Sequence, residues 1–235
     1  MGQAQPRVSC VVQAGGSSSR MGFDKAMARV GGVTLVERVL GRLAPVASEL
    51  VVTAGEDPAR LAFLSGARVG GMPVRLEADL PGSAGAMRGI ASSLAAARGP
   101  LVCVVACDMP FVSAPLIERL AREVEGRGAD VCVPRTDRGL EPLCAVWRRD
   151  ACLPAARRLL AEGSQRIRFL LDAVDTFYLG EDEVRAVAGD LACFENANTP
   201  AELDRVRATL GTGPDAACGA PPPRGAWRPS RRAGV

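Results

Sequence analysis

The chain is predicted to fold as an α/β protein with a doubly wound, mostly parallel (mixed) sheet, and three observations predict it. Short apolar runs alternate with segments whose apolar residues recur at helical spacing. The run 101–106 (LVCVVA) is apolar throughout, as a strand covered by helices on both faces requires. Two glycine-rich loops, at 15–22 and 79–85, and Asp108 each follow an expected strand. They therefore fall on the rim where open α/β sheets bind ligands.

The elements follow in order. Residues 8–14 read as a buried first strand running into the first glycine loop. Thr34 is placed to cap a helix whose apolar positions, Leu35, Val39, Leu40 and Leu43, keep helical spacing up to Pro45. Residues 49–54 are the next strand, and Asp57-Pro58 opens a short helix through Leu64. Gly70, Gly71 and Pro73 mark a turn before a short strand at 74–77. The second glycine loop leads into a helix of small residues ending near Ala97, and then into the 101–106 strand. Ser113 caps a helix with Pro115 in its first turn, running to about Gly126, and a strand follows at 129–134. Residues 142–148 read as a strand with no helix before them, hence antiparallel. Helical spacing returns at 150–161 and around 166–171, with a strand at 176–179. Thr199-Pro200-Ala201-Glu202 is a capping box with proline at the first helical position. Residues 1–210 are read as one domain, with the halves 8–110 and 111–210, and the Gly, Pro, Ala and Arg composition of 211–235 as a disordered tail.

Composition excludes several chemistries. The 235 residues contain no histidine, which removes Ser-His-Asp and Cys-His catalysis and histidine-ligated zinc. The net charge of +3 lies in the tail; before Gly211 there are 25 basic and 25 acidic residues, which argues against nucleic acid as a partner. The eight cysteines form no CxxC pair and sit mostly in apolar runs, the pattern of reduced thiols in a cytoplasmic protein. No apolar run is long enough to span a membrane.

The chemistry starts in the run 10–25, CVVQAGGSSSRMGFDK. Lys25 is the only lysine, all 28 other cationic side chains being arginine. A lone ammonium five residues past Arg20 in a glycine loop suits a site that needs a compact point charge. Gly15 and Gly16 allow positive φ and a close approach of backbone N–H groups to an anion, with Ser17 to Ser19 adding hydroxyls. The loop is neither a Walker A motif nor a dinucleotide fingerprint. Read alone it is a phosphate cradle or a plain strand–helix turn.

The run AGGSSSRMGFDKA resembles the signature of the nucleotidyltransferases, and its GG form resembles the molybdenum cofactor guanylyltransferase family in particular. Four further motifs fit in order: the glycine loop DLPGSAG at 79–85, CDMP at 107–110, EPLCAVWRR at 141–149 and N-x-NTP-x-EL at 196–203. The resemblance covers residues 8–210. It implies a Rossmann-like sheet of the nucleotide-diphospho-sugar transferase type, and the transfer of GMP from GTP to the phosphate of molybdenum-molybdopterin with release of pyrophosphate. It implies Mg²⁺ as cofactor, with molybdoenzymes or their chaperones downstream. A site without histidine suits such a transfer, which relies on positioning and charge neutralisation.

By the same resemblance, Gln13, Ala14, Gly15 and Gly16 bound the base and ribose. Arg20 and Lys25 hold the triphosphate and neutralise the leaving pyrophosphate, and Asp108 is the Mg²⁺ ligand. Thr53 stands at the base-contacting position, where asparagine occurs in relatives, and Asp79 accepts hydrogen bonds from the nucleotide. Asp79 also reads as an Asx turn and Asp108 as a capping or turn aspartate. Arg166, Asn196 and Asn198 face the acceptor; the two asparagines also read as loop residues preparing the Thr199 cap. Two departures bear on nucleotide choice: Gln13 replaces the usual leucine, and Ala86 stands where many relatives have Pro-Leu. A cytidylyltransferase of the same cofactor, a guanylyltransferase for another phosphorylated acceptor, and a GTP-binding protein without turnover remain open; Ala14-Gly15-Gly16 in place of Ala-Ala-Gly favours guanine.

Overall fold

The structure, a computed structural model, describes residues 7–15, 24–82 and 84–212, with residues 211 and 212 described by backbone alone. The elements are β1 (Val8–Gln13), the hairpin β2 (Arg29–Val30) and β3 (Val33–Thr34), α1 (Leu35–Leu43), β4 (Ala47–Thr53), β5 (Arg68–Val69), β6 (Met72–Glu77) and α2 (Ala86–Ala96). They continue through β7 (Leu101–Ala106), α3 (Ala114–Arg127), β8 (Val131–Thr136), β9 (Gly139–Leu140), β10 (Cys144–Arg148), α4 (Arg149–Ala161), α5 (Ile167–Ala173), β11 (Thr176–Gly180), α6 (Glu181–Ala188) and α7 (Pro200–Thr212). Single 3₁₀ segments cover Lys25–Met27, Pro58–Leu64 and Ala192–Phe194.

One sheet runs β11-β8-β10-β7-β1-β4-β6-β5, with β9 attached to β8. β1 lies parallel between β4 and β7, with Gln13 level with Thr53 on one side and Ala106 on the other. β10 is antiparallel to both β7 and β8. From β1 the chain moves outward to β4 and β6, then returns to place β7 on the opposite side. The carboxyl ends of β1 and β7 are therefore the topological switch point, where the sheet leaves a crevice.

Alternation along the strands divides the interior into two layers. Cys10, Val12, Leu50, Val52, Cys103 and Val105 face α1, α3 and α6, meeting Val39, Leu40, Leu116 and Leu120. Val11, Val51, Val102, Val104 and Trp147 face α2 and α4, meeting Ile90, Leu94 and Cys152. A third cluster joins Ala28, Val30, Leu35 and Phe111 to Ala197, Leu203, Val206 and Leu210. It presses α7 onto the β2–β3 hairpin and brings the segment before α7 to the first loop. The seven described cysteines are free and buried, and no helix among the described residues is long and apolar enough to cross a membrane.

The caps form where residue chemistry placed them. The Thr34 side chain accepts from Glu37 N while Glu37 accepts from Thr34 N, and Thr199 and Glu202 reciprocate in the same way. Three differences from the sequence reading have physical reasons. The β2–β3 hairpin has strands of two residues, too short to alternate visibly. The helix α6 follows β11 with no intervening residue, starting where Glu183 accepts from Gly180 N at 3.2 Å. The last helix runs on to Thr212, past the glycine expected to end it. Residues 213–235 and the Gly16–Phe23 segment, which contains Gly16 and Arg20, lie outside the described residues.

Candidate active site

The site is built on the carboxyl ends of four parallel strands. Ala14 N donates to Thr53 O at 2.7 Å and Cys107 N to Gln13 O at 2.9 Å, so the ladder continues past β1 on both sides. Asp79 N donates to Gly55 O at 2.7 Å, fixing the second glycine loop to the end of β4. These bonds turn the loop side chains and backbone toward one rim.

Gly15 serves here by what it lacks. Its φ is not positive, contrary to the freedom expected of it; the positive φ at this corner belongs to Gly55, at +77°. A Cβ on Gly15 would stand 2.6 Å from Asp79 Oδ2 and 2.8 Å from Gly55 N, with backbone on one side and a buried carboxylate on the other. Gly15→Ala is therefore expected to cost about 1–3 kcal/mol of stability and to weaken nucleotide binding; thermal unfolding and calorimetry check both, and a wild-type value for each would show the corner can yield.

At the end of β7, Asp108 is held by its own backbone, its carbonyl accepting from Ala197 N at 2.9 Å. Its carboxylate receives Lys25 Nζ at 3.1 Å, and the same ammonium donates to Asn198 Oδ1 at 2.6 Å. Three residues far apart in the chain meet within one hydrogen-bonding reach. They line a cavity of about 390 Å³ together with Gln13, Glu141, Ile167 and Asn196. Asn198 N donates to Glu202 Oε2 at 2.7 Å, so the α7 capping box also orients this asparagine. Asn196 is exposed, with its amide donating to Phe194 O at 3.2 Å. Gln13 reaches toward α2, donating to Ser93 Oγ at 3.1 Å, where the missing Cβ of Gly89 admits its amide.

On the other side of β1, Asp79 lies with its side chain 7% exposed, 3.9 Å from the equally buried Arg88. Burial pushes the Asp79 carboxyl above the ordinary carboxylate range against the pull of Arg88. The Thr53 hydroxyl is near enough to oppose that rise slightly, without reaching hydrogen-bonding geometry. Among the described residues, Thr53 Oγ1, Asp79 Oδ1 and Arg88 Nε are buried polar atoms without a partner. Such atoms are rare in folded proteins, and three at one corner mark a place where a polar ligand completes the bonding.

Arg166 sits apart from these groups. It is exposed and lines a different cavity, of about 740 Å³, between α4 and α5; its neighbour Ile167 reaches the central one. Four side chains of the rim had not been singled out from the sequence. Glu141 lines the central cavity, and Arg88 donates to Glu56 Oε1 at 3.1 Å and to Gly82 O at 2.9 Å. Asp24 and Arg60 pair beside the first loop. Arg88 had a signal, as a single cation within the small-residue helix 86–97; Arg60 had none among 28 arginines.

A doubly wound sheet whose switch point carries a glycine corner, one ammonium and one carboxylate is the arrangement of a nucleotidyltransferase. Residues 10–188 match the MobA-like NTP transferase domain, and the chain belongs to that family. It is 34% identical over 197 residues to a protein of Pelotomaculum thermopropionicum named probable molybdenum cofactor guanylyltransferase, covering 84% of this chain and 90% of that one. It is 32% identical to the molybdenum cofactor guanylyltransferase of Desulfosudis oleivorans, over 88% and 97% of the two chains. The crystal structure of molybdopterin-guanine dinucleotide biosynthesis protein A from Archaeoglobus fulgidus superposes with a TM-score of 0.72 at 28% identity, over 86% and 97% of the chains.

Proposed function

We propose that this enzyme transfers GMP from GTP to the phosphate of molybdenum-molybdopterin. An oxygen of the acceptor phosphate forms a bond to the α-phosphorus of GTP, and the bond from that phosphorus to the β-phosphate bridge oxygen breaks, releasing pyrophosphate. The observation that carries the reading is Lys25 Nζ, placed between Asp108 and Asn198 at the switch point. The names of the relatives supply the nucleotide and the acceptor.

Each group is assigned a role in this reading. Lys25 neutralises charge on the departing pyrophosphate, and Arg20, from the first loop, is proposed to share that task. Asp79 and Thr53, with unpartnered buried oxygens, accept and exchange hydrogen bonds with the guanine nucleoside. Gly15 leaves backbone room for it, and Gln13, Ala14 and Gly16 are proposed to bound the same subsite. Asn196, Asn198 and Arg166 are proposed to face the acceptor, the two asparagines from the cavity that holds Lys25.

The donors suit Mg²⁺. Asp108 offers a carboxylate to the cavity, and Mg²⁺ sites of this kind combine one or two carboxylates with substrate phosphates and water. The neighbouring Cys107 is buried, and that burial pushes its thiol up to about 12. When bound, the cation supplies positive charge to the triphosphate. Asp108 would hold that charge in place, leaving Lys25 to turn from the carboxylate to phosphate oxygen.

Incubating the protein with Mg²⁺, molybdenum-molybdopterin and either GTP or CTP tests the reading. Pyrophosphate is expected with GTP and little with CTP. Equal rates would remove the guanine assignment, and GTP binding without turnover would leave a binding protein.

A further inference from the structure

One side chain outside the central cavity ties together three parts of the rim. Arg60, in the 3₁₀ segment after β4, donates from Nη1 to Asp24 Oδ2, from Nη2 to the Ala14 carbonyl, and from Nε to the Ala54 carbonyl at 3.0 Å. The two carbonyls lie just past the ends of the neighbouring strands β1 and β4. Asp24 is the residue before Lys25, and its second oxygen, Oδ1, accepts from Ala26 N at 3.0 Å, capping the short turn that carries the lysine. A planar guanidinium can serve a carboxylate and two carbonyls at once; a point charge cannot. Asp24 lines the cavity while Arg60 does not, so Arg60 acts from behind the site.

We propose that Arg60 is a positioning residue for Lys25. By holding Asp24 against the ends of β1 and β4, it sets the Lys25–Met27 turn, and thereby the distance from the ammonium to Asp108 and Asn198. A three-residue turn has little stiffness of its own, and the lysine stem adds four rotatable bonds. Placement errors of about 1 Å in a charge-stabilising group are enough to cost on the order of 10²-fold in rate. The inference rests on the guanylyltransferase reading only for its kinetic arm.

The test uses the single lysine. In protein labelled with [¹⁵N]lysine, the side-chain signal is one Nζ resonance, that of Lys25. Arg60→Gln removes the fork. Asp24→Asn keeps an oxygen to cap the turn and removes the charge that Arg60 holds. Both substitutions are expected to shift or broaden the Nζ resonance in the same sense at an unchanged global fold. Both should lower kcat for pyrophosphate release by about 10- to 100-fold, with KM for GTP changed by less than about threefold. The double variant should lose no more than the worse single one, because the two residues act as a unit. An Nζ resonance that stays in place in Asp24→Asn, or kinetic losses that multiply, would overturn the inference. If Arg60→Gln does not fold, Asp24→Asn still decides it, since the carbonyl bonds of Arg60 are untouched. A moved resonance with no GTP turnover by the wild-type protein would uphold the positioning role and refute the guanylyltransferase reading.

Discussion

Lys25→Ala is expected to lower kcat/KM by on the order of 10²-fold or more, the scale for loss of one preorganised charge-stabilising donor. The ammonium is held by Asp108 and Asn198 before any nucleotide arrives, so it needs little reorganisation to meet a phosphate. Lys25→Arg should recover only part of the rate, because a planar guanidinium spreads over several atoms the charge that an ammonium carries at one point. Removing the ammonium also relieves Asp108 of its partner. Divalent cation binding to the nucleotide-free protein should therefore tighten in Lys25→Ala, a change that Mn²⁺ titration followed by electron paramagnetic resonance reads directly. An unchanged turnover would reduce Lys25 to a packing role, and unchanged Mn²⁺ affinity would mean that its ion pair does not compete with the metal.

Asp108→Asn is the other substitution with a large expected effect, on the order of 10³-fold in kcat at saturating Mg²⁺. Asparagine keeps the volume and the backbone bond from Ala197 N to the residue 108 carbonyl, so the end of β7 should hold its shape. The negative charge is lost, and with it the fixed point for a cation beside the triphosphate. The decisive measurement is the Mg²⁺ dependence of the residual rate. A half-saturating concentration equal to that of the wild type would place the metal ligand elsewhere, Asp24 and Glu141 being the other carboxylates of the cavity.

Much of the sheet was legible because its signals are local. The 101–106 run is buried on both faces by α1–α3 and α2–α4 layers, and continuous apolarity is what such a strand requires. Thr34 announced its helix through the apolar spacing that follows it, and Thr199 through Glu202 three positions on. The antiparallel β10 could be inferred from the missing helix before it. The hairpin β2–β3 could not, since its stability comes from α7, which packs on it from the far end of the chain. The site shows the same division. Lys25 and Asp108 stood out through scarcity and through position at a strand end. That Lys25 meets Asn198 depends on a contact across 173 positions, and that Gly15 is required by the nearness of Asp79 depends on packing between two loops. Arg60 was hidden because one arginine among many carries no mark until its carbonyl partners are known.

The cluster that holds α7 to the β2–β3 hairpin has a consequence for synthesis. During translation the strands β1, β4, β6 and β7 are all available once about half of the chain has left the ribosome, and N-terminal parts of a chain generally fold first. Asn198 and the helix that orients it come last. The sheet and the corner at Gly15, Thr53 and Asp79 can thus form before Asn198 reaches the lysine. On the proposed reading of Lys25, the site is complete only once α7 has arrived, while the sheet can already be held without it.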